Sequence, residues 1–323
     1  MTAGVHRWEV DLGGRPLAGY VVDAPRPLVI DTGVRDTPST VMLPLLEDLG
    51  IDPATACYLI THADSDHFGG NDDLRRAVPE ARIFGPALDQ SLIEDPERLI
   101  RERYRQFEAD HGIGYGESAL AATRLTMGAS QPLTGTVAGG ERLDLGDGRT
   151  AEIIDAPGHT MGHICVWLAE SRALIAQDAV LAEGVRTYGD HLIQPPPYLD
   201  RAAYRGTIQR LRHQEPHLLL TAHFDPVEGP AAIEFLDRSA AWVEDFDAAL
   251  DEAVDDVAPR FAARDLLDGL DARLGPYPMR GDFVYAIAAH LAEREAEGSV
   301  EAYRSRGVKH WRTSSPPSHR IYS

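Results

Sequence analysis

Residues 54–70 read ATACYLITHADSDHFGG. The run from Ala56 to Ile60 is apolar and rich in strand-forming side chains, so it reads as a buried strand. Directly after it, His62, Asp64, Asp66 and His67 put four candidate metal ligands within six residues. Packing gives no reason for two imidazoles beside two carboxylates at that point, whereas a turning backbone can aim all four at one small volume if they converge on cations. A charged surface loop is the plain alternative, and it leaves the imidazoles unexplained.

On either side of this stretch, strands alternate with helices. HRWEVDL, PLAGYVVDA and LVIDTG upstream read as a strand meander, and STVMLPLLEDLG (39–50) reads as a helix despite Pro44. Downstream come the short helix NDDLRRAVPEA and the strand RIFGP, an order typical of layered α/β folds. Residues 87–130 interrupt it with two helical stretches, ERLIRERYRQFEADHG and GESALAATRLTM, read as an insertion placed to act as a lid. The β pattern resumes with a hairpin around Gly146 to Gly148, the strands HICVWLA and ALIAQDAV, the irregular segment AEGVRTYGDHLIQPPPYLD, a helix from Ala202 and the strand HLLLTAHF. Three further ligand candidates sit where strands run out: His159 in DAPGHT, Asp178 in IAQD and His223 in LLLTAH. Strand ends on one side of an α/β layer are where such folds build sites. From there the pattern turns helical, at 231–252, 259–274 and 280–297, and GSVEAYRSRGVKHWR reads as a terminal hairpin.

In order along the chain, HADSDHFGG, PGHT, the Asp of IAQD and the final TAH resemble the ligand motifs of the metallo-β-lactamase fold superfamily, with Asp31 in VIDTG matching the acidic residue before them. The resemblance covers roughly residues 5–230. It implies an α/β fold, a four-layer αβ/βα sandwich with a smaller, mainly α C-terminal domain. The corresponding division is residues 1–235 for the catalytic domain, 236–311 for the helical domain and 312–323 for a disordered tail. It also implies two divalent metal ions, with His62, Asp64 and His159 around one, Asp66, His67 and His223 around the other, and Asp178 bridging. Asp66 is the expected catalytic group, orienting a metal-bound hydroxide, and Asp31 is expected to fix a ligand imidazole from behind. His163 is a further candidate for such a supporting role.

One position departs from the usual His-x-His-x-Asp-His pattern: Asp64 stands where the second histidine belongs. A carboxylate makes that site harder, so zinc, expected from the family, competes with iron or manganese. The implied activity is that of a glyoxalase-II-like dinuclear hydrolase acting on an ester, thioester or lactone of a small metabolite. The alternative is a non-heme di-iron oxidoreductase, flavodiiron-like or dioxygenase-like, which also uses a carboxylate there; a helical tail with no flavin-binding pattern leaves it without an electron donor. A non-catalytic binding protein is disfavoured because every ligand position carries a competent donor.

Composition narrows the partners. The 323 residues carry 31 Lys and Arg against 51 Asp and Glu, a formal net charge of −20, and Lys309 is the single lysine. So negative a field repels phosphate backbones, which excludes nucleic acid as the expected partner and leaves a small-molecule substrate. The acidic stretch DFDAALDEAVDD points the same way, and the tail is read as a dimerisation element, giving a homodimer, or as a pocket cover. No apolar run reaches 18 residues, and Cys57 and Cys165 lie in apolar runs, so a cytoplasmic protein with no membrane association is expected. Tyr188, His191 and Tyr198, in the irregular segment after Asp178, are candidate substrate-binding residues. His6, His213, His217, His290, His310 and His319 sit in ordinary contexts and are assigned no role.

Overall fold

The computed structural model describes residues 4–313. The first sheet has six strands in sequence order: β1 (Val5–Asp11), β2 (Pro16–Val22), β3 (Leu28–Ile30), β4 (Cys57–Leu59), β5 (Arg82–Pro86) and β6 (Gly135–Val137). β1, β2 and β3 pair antiparallel; from β3 onward the pairing is parallel. The second sheet uses β7 (Arg142–Gly146), β8 (Arg149–Asp155), β9 (Ile164–Leu168), β10 (Ala173–Ile175), β13 (Leu218–Leu220) and β14 (Val227–Glu228), with β10 and β13 parallel. A short ribbon, β11 (Val185–Arg186) with β12 (Leu192–Gln194), lies in the segment between β10 and β13.

Both sheets are buried on both faces, and the period-two alternation of strand side chains separates two environments. Leu28 and Ile30, Ala173 and Ile175, and Leu218 and Leu220 point into the space between the sheets. Their neighbours Val29, Leu174 and Leu219 point outward. Val29 meets Met42, Leu46, Leu74, Leu99 and Leu120 from helices over the first sheet. Leu174 and Leu219 meet Tyr204, Ile208, Phe246 and Leu250 from helices over the second. The result is four layers, helix, sheet, sheet and helix, as expected.

The C-terminal part consists of helices Pro230–Val257, Ala263–Leu274 and Phe283–Ala296 and an antiparallel sheet of β15 (Arg260–Ala262), β16 (Val300–Ser305) and β17 (Val308–Thr313), ordered β15-β17-β16. It shares one continuous apolar core with the outer face of the second sheet. The division near 235 falls inside a single unbroken helix that starts at Pro230. The helix expected from 259 begins instead with a strand, β15, and turns helical at Ala263. Arg312 and Thr313 belong to β17; the rest of the expected tail lies outside the described residues. The 39–50 helix is a π turn over Pro38–Met42 running directly into helix Leu43–Asp48, with Pro44 just after the π turn. Among the described residues no helix is long and apolar enough to cross a membrane.

Candidate metal centre

Parallel neighbours end on the same side. β3 with β4 and β10 with β13 therefore bring Asp31, His62, Asp178 and His223 to one edge of the two sheets. Hydrogen bonds across that edge lock the sheets together: Ile164 N donates to Thr61 O (3.0 Å), Ala18 N to Ala222 O (2.8 Å) and the Tyr20 hydroxyl to Thr221 O (2.7 Å). After β4 the chain runs extended through Asp64, then makes one helical turn over Ser65–Phe68. Gly69 and Gly70 close the turn because nothing larger fits. A Cβ on Gly69 would stand 2.3 Å from Thr126 O, and one on Gly70 2.4 Å from Thr32 O.

Each candidate imidazole is held from its Nδ1 side. His67 Nδ1 bonds Asp31 Oδ2 (2.8 Å), His159 Nδ1 bonds Pro197 O (3.0 Å), His223 Nδ1 bonds Pro16 O (2.8 Å) and His62 Nδ1 meets Thr61 Oγ1 (3.1 Å). Backbone carbonyls only accept, so the rings of His159 and His223 carry their protons at Nδ1 and offer Nε2 inward. Asp178 is the hub: its Oδ2 lies 3.4 Å from His67 Nε2, 3.5 Å from His223 Nε2, 3.9 Å from His62 Nε2 and 4.0 Å from His159 Nε2. Asp66 Oδ2 stands 3.8 Å from His223 Nε2.

This donor chemistry fits a cation. His62 Nε2, His67 Nε2 and Asp178 Oδ1 are buried and have no hydrogen-bond partner among the described residues, an expensive state for polar atoms unless an ion takes their lone pairs. Among the described residues neither Asp31, Asp66 nor Asp178 pairs with an Arg or Lys. Donor atoms gather in three overlapping groups, His62/Asp64/His159, His62/His67/Asp178 and Asp66/His67/His223. Burial alone would push the His67 imidazole down, but Asp31 and Asp178 flank it and hold it well above its ordinary range. Asp178 raises His223 against burial in the same way, and the two imidazoles hold the Asp178 carboxyl well below its usual range.

Asp64 has a partner that the motif alone does not reveal. Arg103, 4% exposed, grips it with two bonds, Nε to Oδ1 at 2.6 Å and Nη2 to Oδ2 at 2.7 Å. Burial would raise the Asp64 carboxyl, and the adjacent guanidinium holds it well below its usual range. Arg103 comes from a π turn, Ile100–Tyr104, within the 87–130 insertion, where Arg105 N reaches back five residues to Ile100 O. The signal in the sequence was Asp64 itself, since a buried extra carboxylate demands a cation. Nothing local distinguished Arg103 from the other arginines.

A second residue was missed as well. Asp89 accepts from Ala63 N (2.9 Å), Thr160 Oγ1 (2.6 Å) and Gly162 N (3.1 Å), tying the HADSDH loop to the PGHT loop.

The remaining candidates divide. Asp31, besides its bond to His67, accepts from Thr61 N (2.7 Å) and Gln177 Nε2 (2.6 Å). His163 supports by stacking rather than by hydrogen bonding, its ring 4.5 Å from that of His62 and both its nitrogens unpartnered. The three substrate-binding candidates do not reach the site. Tyr188 is 56% exposed and bonds Glu9 Oε1 (3.0 Å), and His191 is exposed beside Thr187. Tyr198 is fully buried on the other side, stacked on Tyr204 with its hydroxyl on His290 Nε2 (2.8 Å). The segment turns these side chains away because its ribbon and the run of prolines send Val185, Gln194 and Pro197 inward instead. His290, assigned no role, is a buried core residue between Tyr198 and Asp247.

Asp64, Asp66, His159, Asp178 and His223 line a cleft of about 250 Å³, walled by Arg15, Tyr104, Tyr115 and Tyr285 among others. The insertion and the C-terminal helices both cover the site.

The model of the metallo-beta-lactamase superfamily matches residues 13–223. A hydroxyacylglutathione hydrolase from Rhodospirillum rubrum is 45% identical over 122 residues, 34% of this chain and 46% of that protein. One from Hyphomonas neptunium is 29% identical over 38% of this chain and 33% of its own length, so these matches span less than half of either relative. A probable metallo-hydrolase from Bacillus subtilis is 38% identical over 24% of this chain and 32% of its own length. Among solved structures, a metallo-beta-lactamase family protein from Thermus thermophilus superposes with a TM-score of 0.71 at 20% identity, covering 96% of this chain and 98% of that one. A beta-lactamase domain protein from Burkholderia ambifaria gives 0.71 at 19% identity over 97% and 93%. With a family match over most of the chain and a converging His/Asp donor cluster at the sheet edge, the protein belongs to the metallo-beta-lactamase superfamily.

Proposed function

We propose that the protein hydrolyses an ester, thioester or lactone of a small metabolite. The observation that carries this reading is the set of unpartnered buried donors, His67 Nε2 and Asp178 Oδ1, gathered with Asp66 and His223 at the floor of an open cleft. Relatives named hydroxyacylglutathione hydrolase, whose substrate is a thioester, support the substrate class. Asp66, His67, Asp178 and His223 would hold a divalent cation, which when bound would supply a water of lowered pKa and a Lewis acid for the acyl oxygen. Asp66, half-buried on the cleft wall, accepts a hydrogen bond from the attacking water and aims it at the acyl carbon. Asp31 keeps the His67 ring oriented through Nδ1. Leu181, Tyr115, Met279 and Tyr285 present apolar surface to the acyl chain and exclude bulk water.

The Asp66/His67/His223 group offers ligands for one ion; the His62/Asp64/His159 group shares its carboxylate with Arg103. The oxidoreductase alternative drew on Asp64 as a hard metal ligand, and both oxygens of that carboxylate are engaged by guanidinium. The test is elemental analysis of the freshly purified protein followed by a panel of thioesters, esters and lactones. Turnover abolished by chelation and restored by zinc or manganese is expected. Bound iron with oxygen consumption and no hydrolysis would overturn the proposal.

A further inference from the structure

We infer that the Arg103 guanidinium takes the place of one of the two cations implied by the family pattern, so that the chain works with a single ion and uses Arg103 as its second electrophile. The count of ions stands on the geometry alone; the catalytic role rests on the hydrolase reading above.

The Asp64 carboxylate is already engaged. Its Oδ1 receives Arg103 Nε (2.6 Å) and the Tyr104 hydroxyl (3.1 Å), and its Oδ2 receives Arg103 Nη2 (2.7 Å) and stands 2.8 Å from His159 Nε2. Two oxygens offer about four acceptor sites, and the donors of Arg103 and Tyr104 fill three of them, so a metal would have to compete for this carboxylate. Nη2 also lies 3.3 Å from His159 Nε2, so the guanidinium touches two of the three residues that would clasp the first ion. A divalent cation there would share its ligands with a fixed positive charge. The departure from the family pattern carries its own counter-charge, since a carboxylate stands in place of an imidazole and the Arg103 guanidinium neutralises it.

The arm is held firmly. Arg103 stacks over the Tyr285 ring, its charge centre 5.8 Å from the centroid, and Tyr104 is fixed in turn by accepting from Ser65 N (2.9 Å). One group is left over: Arg103 Nη1 is buried, has no partner, and belongs to a residue that lines the cleft. It is a donor for which the described residues supply no acceptor. In acyl hydrolysis the acceptor is the substrate's carbonyl oxygen. As the water oxygen bonds to the acyl carbon, the C=O π pair moves onto this oxygen, and Nη1 donates to the resulting oxyanion. When the C=O reforms, the bond to the thiol or alcohol breaks and the leaving group departs with a proton that came from the water. The Asp66/His67/His223 group has no guanidinium within it and keeps its unpartnered donors for the ion.

The decisive measurement needs no substrate. The metal-stripped wild-type protein is titrated with Zn²⁺ and the tightly bound ions are counted by native mass spectrometry, beside the double variant Asp64→His/Arg103→Met, which restores an imidazole and removes the charge. One ion per chain in the wild type and two in the double variant are expected. Two tightly bound ions in the wild type, or one in a folded double variant, would overturn the inference. Arg103→Lys keeps the charge but not the fork. It is expected to retain one ion while kcat falls roughly 100-fold with KM little changed, as for loss of an oxyanion donor. An unchanged kcat would remove Arg103 from the reaction while leaving the ion count, and the hydrolase reading, to stand or fall on their own tests.

Discussion

Asp31 and His67, 36 residues apart and both buried, are joined by a 2.8 Å bond between Oδ2 and Nδ1. Asp31 reaches it with φ +61°, a conformation uncommon outside glycine, and is held there by donors from Thr61 and Gln177. The bond fixes which nitrogen of His67 faces the cation and makes it a stronger ligand. Replacing Asp31 by Ala is expected to weaken metal binding about 10- to 100-fold, as for other losses of a carboxylate behind a metal-bound histidine. Competition against a chromogenic chelator would measure it; unchanged affinity would show that packing alone orients the ring.

Asp66 is the one carboxylate of the motif that is only half-buried, and it accepts no backbone hydrogen bond comparable to those of Asp31 or Asp89. Asp66→Asn is therefore expected to lower kcat at least about 100-fold while the thermal midpoint changes little. A large drop in midpoint with activity retained in the folded fraction would assign Asp66 to the scaffold instead.

Asp89 holds two motif loops together through three buried donors. Asp89→Ala leaves Ala63 N, Thr160 Oγ1 and Gly162 N without acceptors, at a cost of about 3 kcal/mol. Urea unfolding at constant metal load would read this as a lower midpoint, and a loss under about 1 kcal/mol would mean that water replaces the carboxylate.

Tyr198 belongs to the core, and its hydroxyl serves His290 rather than substrate. Tyr198→Phe is expected to cost about 1 kcal/mol in stability and leave kcat/KM unchanged. A selective rise in KM would return Tyr198 to the substrate pocket.

The carboxyl of Asp282 accepts from the Tyr115 hydroxyl and Gln194 Nε2, both at 2.8 Å. Burial pushes its pKa from 3.8 up to about 6, against the pull of those two donors. The folded protein thus holds this proton more tightly than the unfolded chain does. The contribution to stability is fully present below about pH 4 and is lost as pH rises through about 6, an effect of about 3 kcal/mol. Comparing denaturant midpoints of the wild type and Asp282→Asn between about pH 4 and 7 would isolate it. The difference between the two is expected to change across that window, and parallel profiles would exclude Asp282 as the source.

The ligand motif, the strand before it and the donors at later strand ends were all readable from the amino-acid order. Each is a local pattern: an apolar run of strand length, a turn rich in Gly, and side chains whose chemistry suits a cation whatever their surroundings. The layered fold followed from the same signals, since strands apolar on both faces require covering on both. Tertiary structure alone decided that Arg103 answers Asp64 across 39 residues, that Asp89 joins two motif loops, and that Tyr188, His191 and Tyr198 turn away from the cleft. Among 30 arginines, no local sequence feature selects the one whose π turn ends beside a given carboxylate. That pairing depends on where the insertion packs. The sum of many weak apolar contacts sets that position, and no pattern of neighbouring residues encodes it.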